Sequence, residues 1–323
     1  MGHFLLILHF HKSRAMNIKT KGYILGIIAA ATYGMNPLFA LPLYKDGMNP
    51  DSVLFFRYLF AIPILGALLN ARGRNLGIRR KDILPLALLG LLVALSSLTL
   101  FQSYNYMSAS IASTLLFVYP IMVALIMATV YKEKITLQTV VCIATALCGI
   151  ALLYRNEQGD VLDTAGTILV FVSALSYAIY LVEVNRPRLK DIATLKITFY
   201  VLLFGLMLFA TRLCTGTELI LPQKWYLWGN LLALAIFPTA VSFFCTTKAI
   251  QYIGSTPTAI LGSLEPVTAI FFGITVFGET LTVRESIGLV LIVAAVTAVV
   301  AGGEITAYMV RFRKLFPRIG RKQ

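Results

Sequence analysis

Ionisable side chains are scarce along most of this sequence, and the few that fall inside long apolar stretches are where chemistry can be sought. Arg57 lies two turns into one such stretch, and Glu265 lies near the middle of another, immediately before Pro266. A charge near a bilayer centre costs ~3 kcal/mol or more, so such residues usually face a helix-bundle interior or cavity. Arg57 can anchor a substrate carboxylate, or it can be a structural arginine tied to backbone carbonyls or snorkelling to headgroups; the structural role is favoured. Glu265 can carry a proton or bind a substrate amino group. Equally, it can be a protonated glutamate bonded to a carbonyl that Pro266 leaves free.

Uncharged polar groups form a second set. Tyr33 and Asn36 are three residues apart, as are Tyr177 and Tyr180, so each pair shares a helix face. With Ser176, Tyr119 and, more weakly, Ser242, they could line a pathway for an amphipathic ligand. Interhelical hydrogen bonding, worth ~0.6–2 kcal/mol per residue in membranes, is the better account of any one of them, while some of the set are expected to line the pathway. Pro120 and Pro266 each remove a helix donor and are hinge candidates, or static kinks that shape a cavity. Gly22 and Gly26 form a small-xxx-small pair that permits close helix packing. Glu133 and Glu279 fall at helix ends, where capping or loop ion pairs account for them.

Other chemistries lack their residues. All three histidines (His3, His9, His11) precede the first apolar stretch, which excludes histidine catalysis within a membrane. The cysteines Cys142, Cys148, Cys214 and Cys245 form no CxxC pair and read as small hydrophobes. There is no HExxH and no GxxxxGK[ST] phosphate loop. No catalytic residue, metal site or cofactor is therefore expected.

The elements that must position these residues are membrane spans. Hydrophobic residues make up 58% of the 323 and charged residues 13%, against roughly 25% charged in a soluble domain. A span needs ~20 mostly apolar residues. Ten such stretches occur, at 22–43, 52–70, 83–101, 108–130, 136–154, 164–184, 193–211, 227–247, 257–277 and 284–302. Backbone groups in lipid must be satisfied within the segment, so these are helices. With both termini in the cytoplasm, the inner segments hold 21 Lys or Arg and the outer loops 5, as the positive-inside rule requires. The net charge of +14 is thereby accounted for without nucleic acid. Residues 1–15 contain an apolar run too short to span and a poor signal peptide; no function is assigned to them, and Met16 is an alternative start.

The halves repeat. At an offset of 146, Tyr106, Pro120, Glu133 and Thr136 match Tyr252, Pro266, Glu279 and Thr282. At an offset of 144, Gly22, Ile24, Leu25, Ala30 and Tyr33 match Gly166, Ile168, Leu169, Ala174 and Tyr177. Five spans is an odd number, so the second copy enters the membrane upside down. The expected fold is an all-α polytopic membrane protein of ten transmembrane helices in two inverted five-helix repeats. Its expected divisions are a cytoplasmic tail (1–21), first repeat (22–154), second repeat (163–302) and basic cytoplasmic tail (303–323). Inverted repeats recur in secondary transporters around a midplane site. At the offset of 146, Tyr119 stands where the second half has Glu265, so the charge is not symmetric.

Several stretches carry a resemblance: Tyr33-Gly34-Met35-Asn36-Pro37, Phe55-Phe56-Arg57-Tyr58, Ala112 to Tyr119-Pro120, Tyr131-Lys132-Glu133-Lys134-Ile135-Thr136, Ala259 to Leu264-Glu265-Pro266-Val267, and Gly278-Glu279-Thr280-Leu281-Thr282. In their order and duplication they are similar to the drug/metabolite transporter superfamily, in its EamA-like ten-helix branch, from about residue 20 to 302. The resemblance implies a secondary transporter in the cell (inner) membrane, often an exporter, of amino acids or other small metabolites. The expected partners are a small-molecule substrate, the lipid bilayer and protons as coupling ion; no nucleic acid is expected. A channel-like or uptake facilitator is the alternative within transport, and an integral membrane enzyme the alternative outside it.

Overall fold

The computed structural model describes residues 18–298, except 74, 133–136, 154–162, 185–188, 190–191, 255–256, 259–260, 263, 285 and 296. Both tails expected to be cytoplasmic lie largely outside the described residues, as do Glu133, Thr136, Arg186, Arg188 and Lys190. The described residues are helical and contain no strand.

The helices are α1 (Ile18–Tyr33), α2 (Asn36–Lys45), α3 (Pro50–Ala71), α4 (Arg80–Ser103), α5 (Ala109–Leu116), α6 (Tyr119–Val130) and α7 (Leu137–Leu153). They continue with α8 (Thr164–Val184), α9 (Thr194–Cys214), α10 (Leu227–Ala235), a π-helical turn (Ile236–Val241), α11 (Ser242–Ile253), α12 (Leu264–Phe277) and α13 (Ser286–Ala295). Among the described residues, seven helical stretches are long and apolar enough to cross a membrane: Ile18–Lys45, Pro50–Ala71, Arg80–Ser103, Ala109–Val130, Thr164–Val184, Thr194–Cys214 and Leu227–Ile253. The expected spans at 136–154, 257–277 and 284–302 are represented by the shorter helices α7, α12 and α13.

Local signals set several starts. Asn49 caps α3 by accepting from Ser52 N at 2.7 Å, and Pro50 follows at the first turn, where a missing N–H costs nothing. Ser108 caps α5 in the same way. Large apolar side chains such as Leu84, Leu137 and Val290 point outward, as a lipid-facing surface requires.

The halves interlock by exchange. Helix α1 packs against α11, and its counterpart α8 packs against α4. Individual contacts repeat across this exchange. A Cβ on Gly22 would lie 2.9 Å from Tyr252 Cβ, and one on Gly166 would lie 2.7 Å from Tyr106 Cβ. Ser242 Oγ donates to Ala29 O at 2.9 Å, and their counterparts are also bonded but in the reverse direction, Ser173 Oγ donating to Ser96 O at 2.7 Å. The Gly22 and Gly26 pair thus serves packing inside the fold, against Tyr252, Ile253 and Leu261. Glu279 accepts a hydrogen bond from Ser110, a side-chain bond between elements that sequence had assigned to capping or loop ion pairs.

Candidate functional site

Three helix interruptions meet in the interior. The first span breaks at 34–35, between α1 and α2; the fourth breaks at 117–118, between α5 and α6; and α12 begins just after Gly262. The second and third breaks are repeat equivalents. Irregular backbone at membrane depth is tolerated where protein or a cavity surrounds it. Proline follows each break within the first turn: Pro37, Pro120 and Pro266. The expected mid-span kinks are therefore breaks that precede the proline, because a first-turn N–H has no intrahelical partner to lose. Gly34 lets the first break lie on the third. A Cβ there would collide with the Glu265 carbonyl oxygen and approach Thr268 Cβ to 2.7 Å.

Glu265 correspondingly sits in the first turn of α12, not at mid-helix as its place in the apolar stretch suggests. The partial positive charge of a helix N-terminus falls on its carboxyl group. The residue is buried, and its Oε1 accepts from Tyr119 Oη at 3.4 Å. Among the described residues, Oε2 has no hydrogen-bond partner. Aromatic rings enclose this group: Tyr177 lies edge-on to Tyr119 at 4.8 Å, and Tyr33 stacks on Tyr177 at 6.0 Å with 6° between planes. Tyr33 and Tyr177 are repeat equivalents, and so are Tyr119 and Glu265. Two residue pairs thus touch their own counterparts.

A small cavity flanks Glu265 on each side. One, with about 220 Å³ between atoms, is lined by Gly26, Ala30, Tyr119, Tyr177, Thr246 and Glu265 among others. The other, about 210 Å³, is lined by Tyr33, Gly34, Asn36, Tyr104, Ser113 and Glu265 among others. Each has continuous room for little more than a water molecule. The second is rich in unused hydrogen-bonding capacity: among the described residues, both amide atoms of Asn36, the Tyr104 hydroxyl and Glu265 Oε2 have no partner. Buried polar groups are nearly always bonded, so a cluster of orphans points to a ligand-binding or working surface.

Arg57 is fully buried on α3. Its Nε donates to Thr239 Oγ1 at 2.5 Å and its Nη2 to Pro238 O at 3.1 Å, both in the π-helical turn. The guanidinium lies over the Phe101 ring at 5.3 Å, and Phe101 is 5.5 Å from Tyr104. Among the described residues, Nη1 has no hydrogen-bond partner. The arginine therefore ties α3 to a widened helix turn and keeps one nitrogen unused.

Of the residues singled out from sequence, Tyr33, Asn36, Tyr119, Tyr177 and Glu265 come together around the two cavities. Tyr180 forms the next layer, stacked on Tyr177 at 5.9 Å with its hydroxyl 3.3 Å from Thr247 Oγ1. Ser242 is used in the bond to Ala29, and Ser176 is buried; neither lines these cavities. Tyr104, Ser113, Thr246 and Gly262 were missed. Gly262 was legible only as the counterpart of Leu116, a small residue where the other repeat has a large one.

Similarity to known proteins agrees with this architecture. The sequence profile of the EamA-like transporter family matches twice, over residues 20–155 and 164–301. A relative from Archaeoglobus fulgidus, described as an uncharacterized transporter, is 30% identical over 279 residues, covering 84% of this chain and 93% of the relative. An uncharacterized inner membrane transporter of Salmonella typhimurium, YicL, is 24% identical, covering 87% of this chain and 95% of its own length. A solved crystal structure has the same fold, with a TM-score of 0.68 at 16% identity, covering 88% of this chain and 98% of that one. The apolar helices and the duplicated family match make this a multi-pass membrane protein acting on a small molecule, and not an enzyme. The chain belongs to the EamA-like transporter family, of the drug/metabolite transporter type.

Proposed function

We propose that the protein is a secondary active transporter that moves a small amphipathic metabolite, an amino acid or similar compound, by alternating access in the direction of export. In this reading it has ten transmembrane helices, in inverted repeats at 22–154 and 163–302. The tails 1–21 and 303–323 are cytoplasmic, as the distribution of Lys and Arg favours. One observation carries the mechanism: the pairs Tyr33–Tyr177 and Tyr119–Glu265 each join a residue to its own repeat counterpart. Residues related by a two-fold axis touch their equivalents only at that axis. For inverted repeats the axis lies in the membrane plane, where a fixed site can be exposed to each side in turn.

Glu265 then faces the inner cavity beside Gly26 and the outer cavity beside Asn36. Pro120 and Pro266, at equivalent breaks, are the hinges about which the half-helices re-aim. Asn36 and Tyr104 give the outer side its polar contacts; Arg57, stacked on Phe101 behind Tyr104, anchors a carboxylate, and Glu265 takes an amine or a proton. The asymmetry between Tyr119 and Glu265 leaves one ionisable group on the axis, hence one coupled proton per cycle. Protein in liposomes should give saturable flux of a small metabolite, accelerated by a pH gradient. Glu265→Gln should abolish that acceleration and retain ligand exchange. Unchanged acceleration would remove the proton role, and flux that does not saturate would favour a channel-like facilitator.

A further inference from the structure

A roomier cavity than the two beside Glu265 adjoins neither Tyr119 nor Glu265. It is a groove of about 660 Å³ between the C-terminal half of α3, the start of α9 and the π-helical turn with α11. Ile64, Leu68 and Arg72 recur at i, i+4 and i+8, so they form one stripe along the groove. Val241 and Phe244 form the opposite wall. Only Arg72, at one end, brings a charge. The eight residue steps from Ile64 to Arg72 span about 12 Å at 1.5 Å per residue. That is most of one leaflet, taken as half of the ~30 Å hydrocarbon core.

The charged end is oversupplied with positive charge. Arg72 is exposed and rests on the Phe244 ring at 5.7 Å. Among the described residues it makes no ion pair with a carboxylate. The segment 71–82 that continues from it carries Arg72, Arg74, Arg79, Arg80 and Lys81. Its one acid, Asp82, is paired with Arg79 at 2.8 Å. A polar metabolite would find nothing else to bond along the groove. A phospholipid offers the matching pair of parts, an apolar chain and an anionic phosphate at the depth where α3 ends. Basic residues at helix ends recruit anionic lipid in this way.

We propose that this groove is a binding site for an anionic phospholipid, with one acyl chain along Ile64, Leu68 and Val241 and the phosphate on Arg72. The site has a structural consequence. Its wall is the same π-helical turn whose Pro238 and Thr239 are held by Arg57 from the other side. A bound chain therefore braces that turn against α3.

The test uses delipidated full-length protein in detergent, titrated with phosphatidylglycerol, with phosphatidylcholine of the same chains, and with glycerol 3-phosphate. Lipid retention is read by native mass spectrometry and stabilisation by thermal unfolding. Phosphatidylglycerol should be retained and raise the midpoint above phosphatidylcholine, and glycerol 3-phosphate should do neither. Arg72→Gln should weaken phosphatidylglycerol about fivefold, the contribution of one basic residue at a membrane surface, and phosphatidylcholine less, because its choline cation offsets the phosphate charge. Leu68→Trp, which fills the groove from its exposed edge, should weaken both lipids. Equal retention of the two lipids, a phosphatidylglycerol preference undiminished by Arg72→Gln, or stabilisation by glycerol 3-phosphate would each overturn the proposal. None of these readouts involves transport, so failure here is separable from failure of the transport mechanism.

Discussion

Arg57→Met separates the observed tie of this side chain to the π-helical turn from its proposed role as a carboxylate anchor. Arg57 is the one Lys or Arg that is buried among the described residues. Replacing it removes two charged hydrogen bonds, to Thr239 Oγ1 at 2.5 Å and to Pro238 O at 3.1 Å. Such bonds contribute about 1.5–3 kcal/mol each, so about 3–6 kcal/mol is lost. Against this stands relief of a buried charge that has no carboxylate partner among the described residues, a desolvation penalty of several kcal/mol. The contributions nearly cancel, and methionine fills much of the same volume. Purified Arg57→Met protein should therefore unfold within about 2 kcal/mol of the parent. Ligand binding should behave otherwise. Losing a buried cation that pairs with a substrate carboxylate costs at least about 2 kcal/mol, or about thirtyfold in affinity. The assay is competition binding with a substrate acid and its amide. The acid should weaken at least about thirtyfold and the amide hardly at all. Equal weakening of both would refute the carboxylate role. A stability loss above about 5 kcal/mol would show that the bond to the π-helical turn dominates.

Gly34→Val should cost about 1–3 kcal/mol, as overpacking does, and should abolish flux, because the added methyls meet the Glu265 carbonyl and Thr268; thermal unfolding and liposome flux check both. Deleting residues 1–15 should leave flux intact, and its loss in the liposome assay would assign that segment a role.

Individual residues show where sequence reading works and where it stops. The repeat offsets were legible because they are properties of order along the chain. They correctly paired Gly22 with Gly166 and Tyr33 with Tyr177 before any contact was known. Glu265 was recognised as important because a carboxyl in an apolar stretch is costly. Its place in a first turn was not recognised, since the break before it lies in a run whose hydropathy continues unbroken. Arg57 was read as tied to backbone carbonyls, and Pro238 O is one of its two partners. The π-helical turn supplying that carbonyl leaves no periodicity signal over its six residues. Tyr104 was passed over because an aromatic at a helix end is unremarkable until its hydroxyl is found buried without a partner.

The sequence by itself determined a duplicated, membrane-spanning helical chain and its family, because hydropathy, charge placement and internal repetition are one-dimensional quantities. It also named most of the polar residues that meet at the centre. Only the tertiary structure decided that repeat counterparts touch each other, that Glu265 stands between two cavities, and that Arg57 holds a widened turn with one nitrogen to spare. Those facts depend on how helices distant in sequence cross and where they break, and no local pattern of residues encodes that.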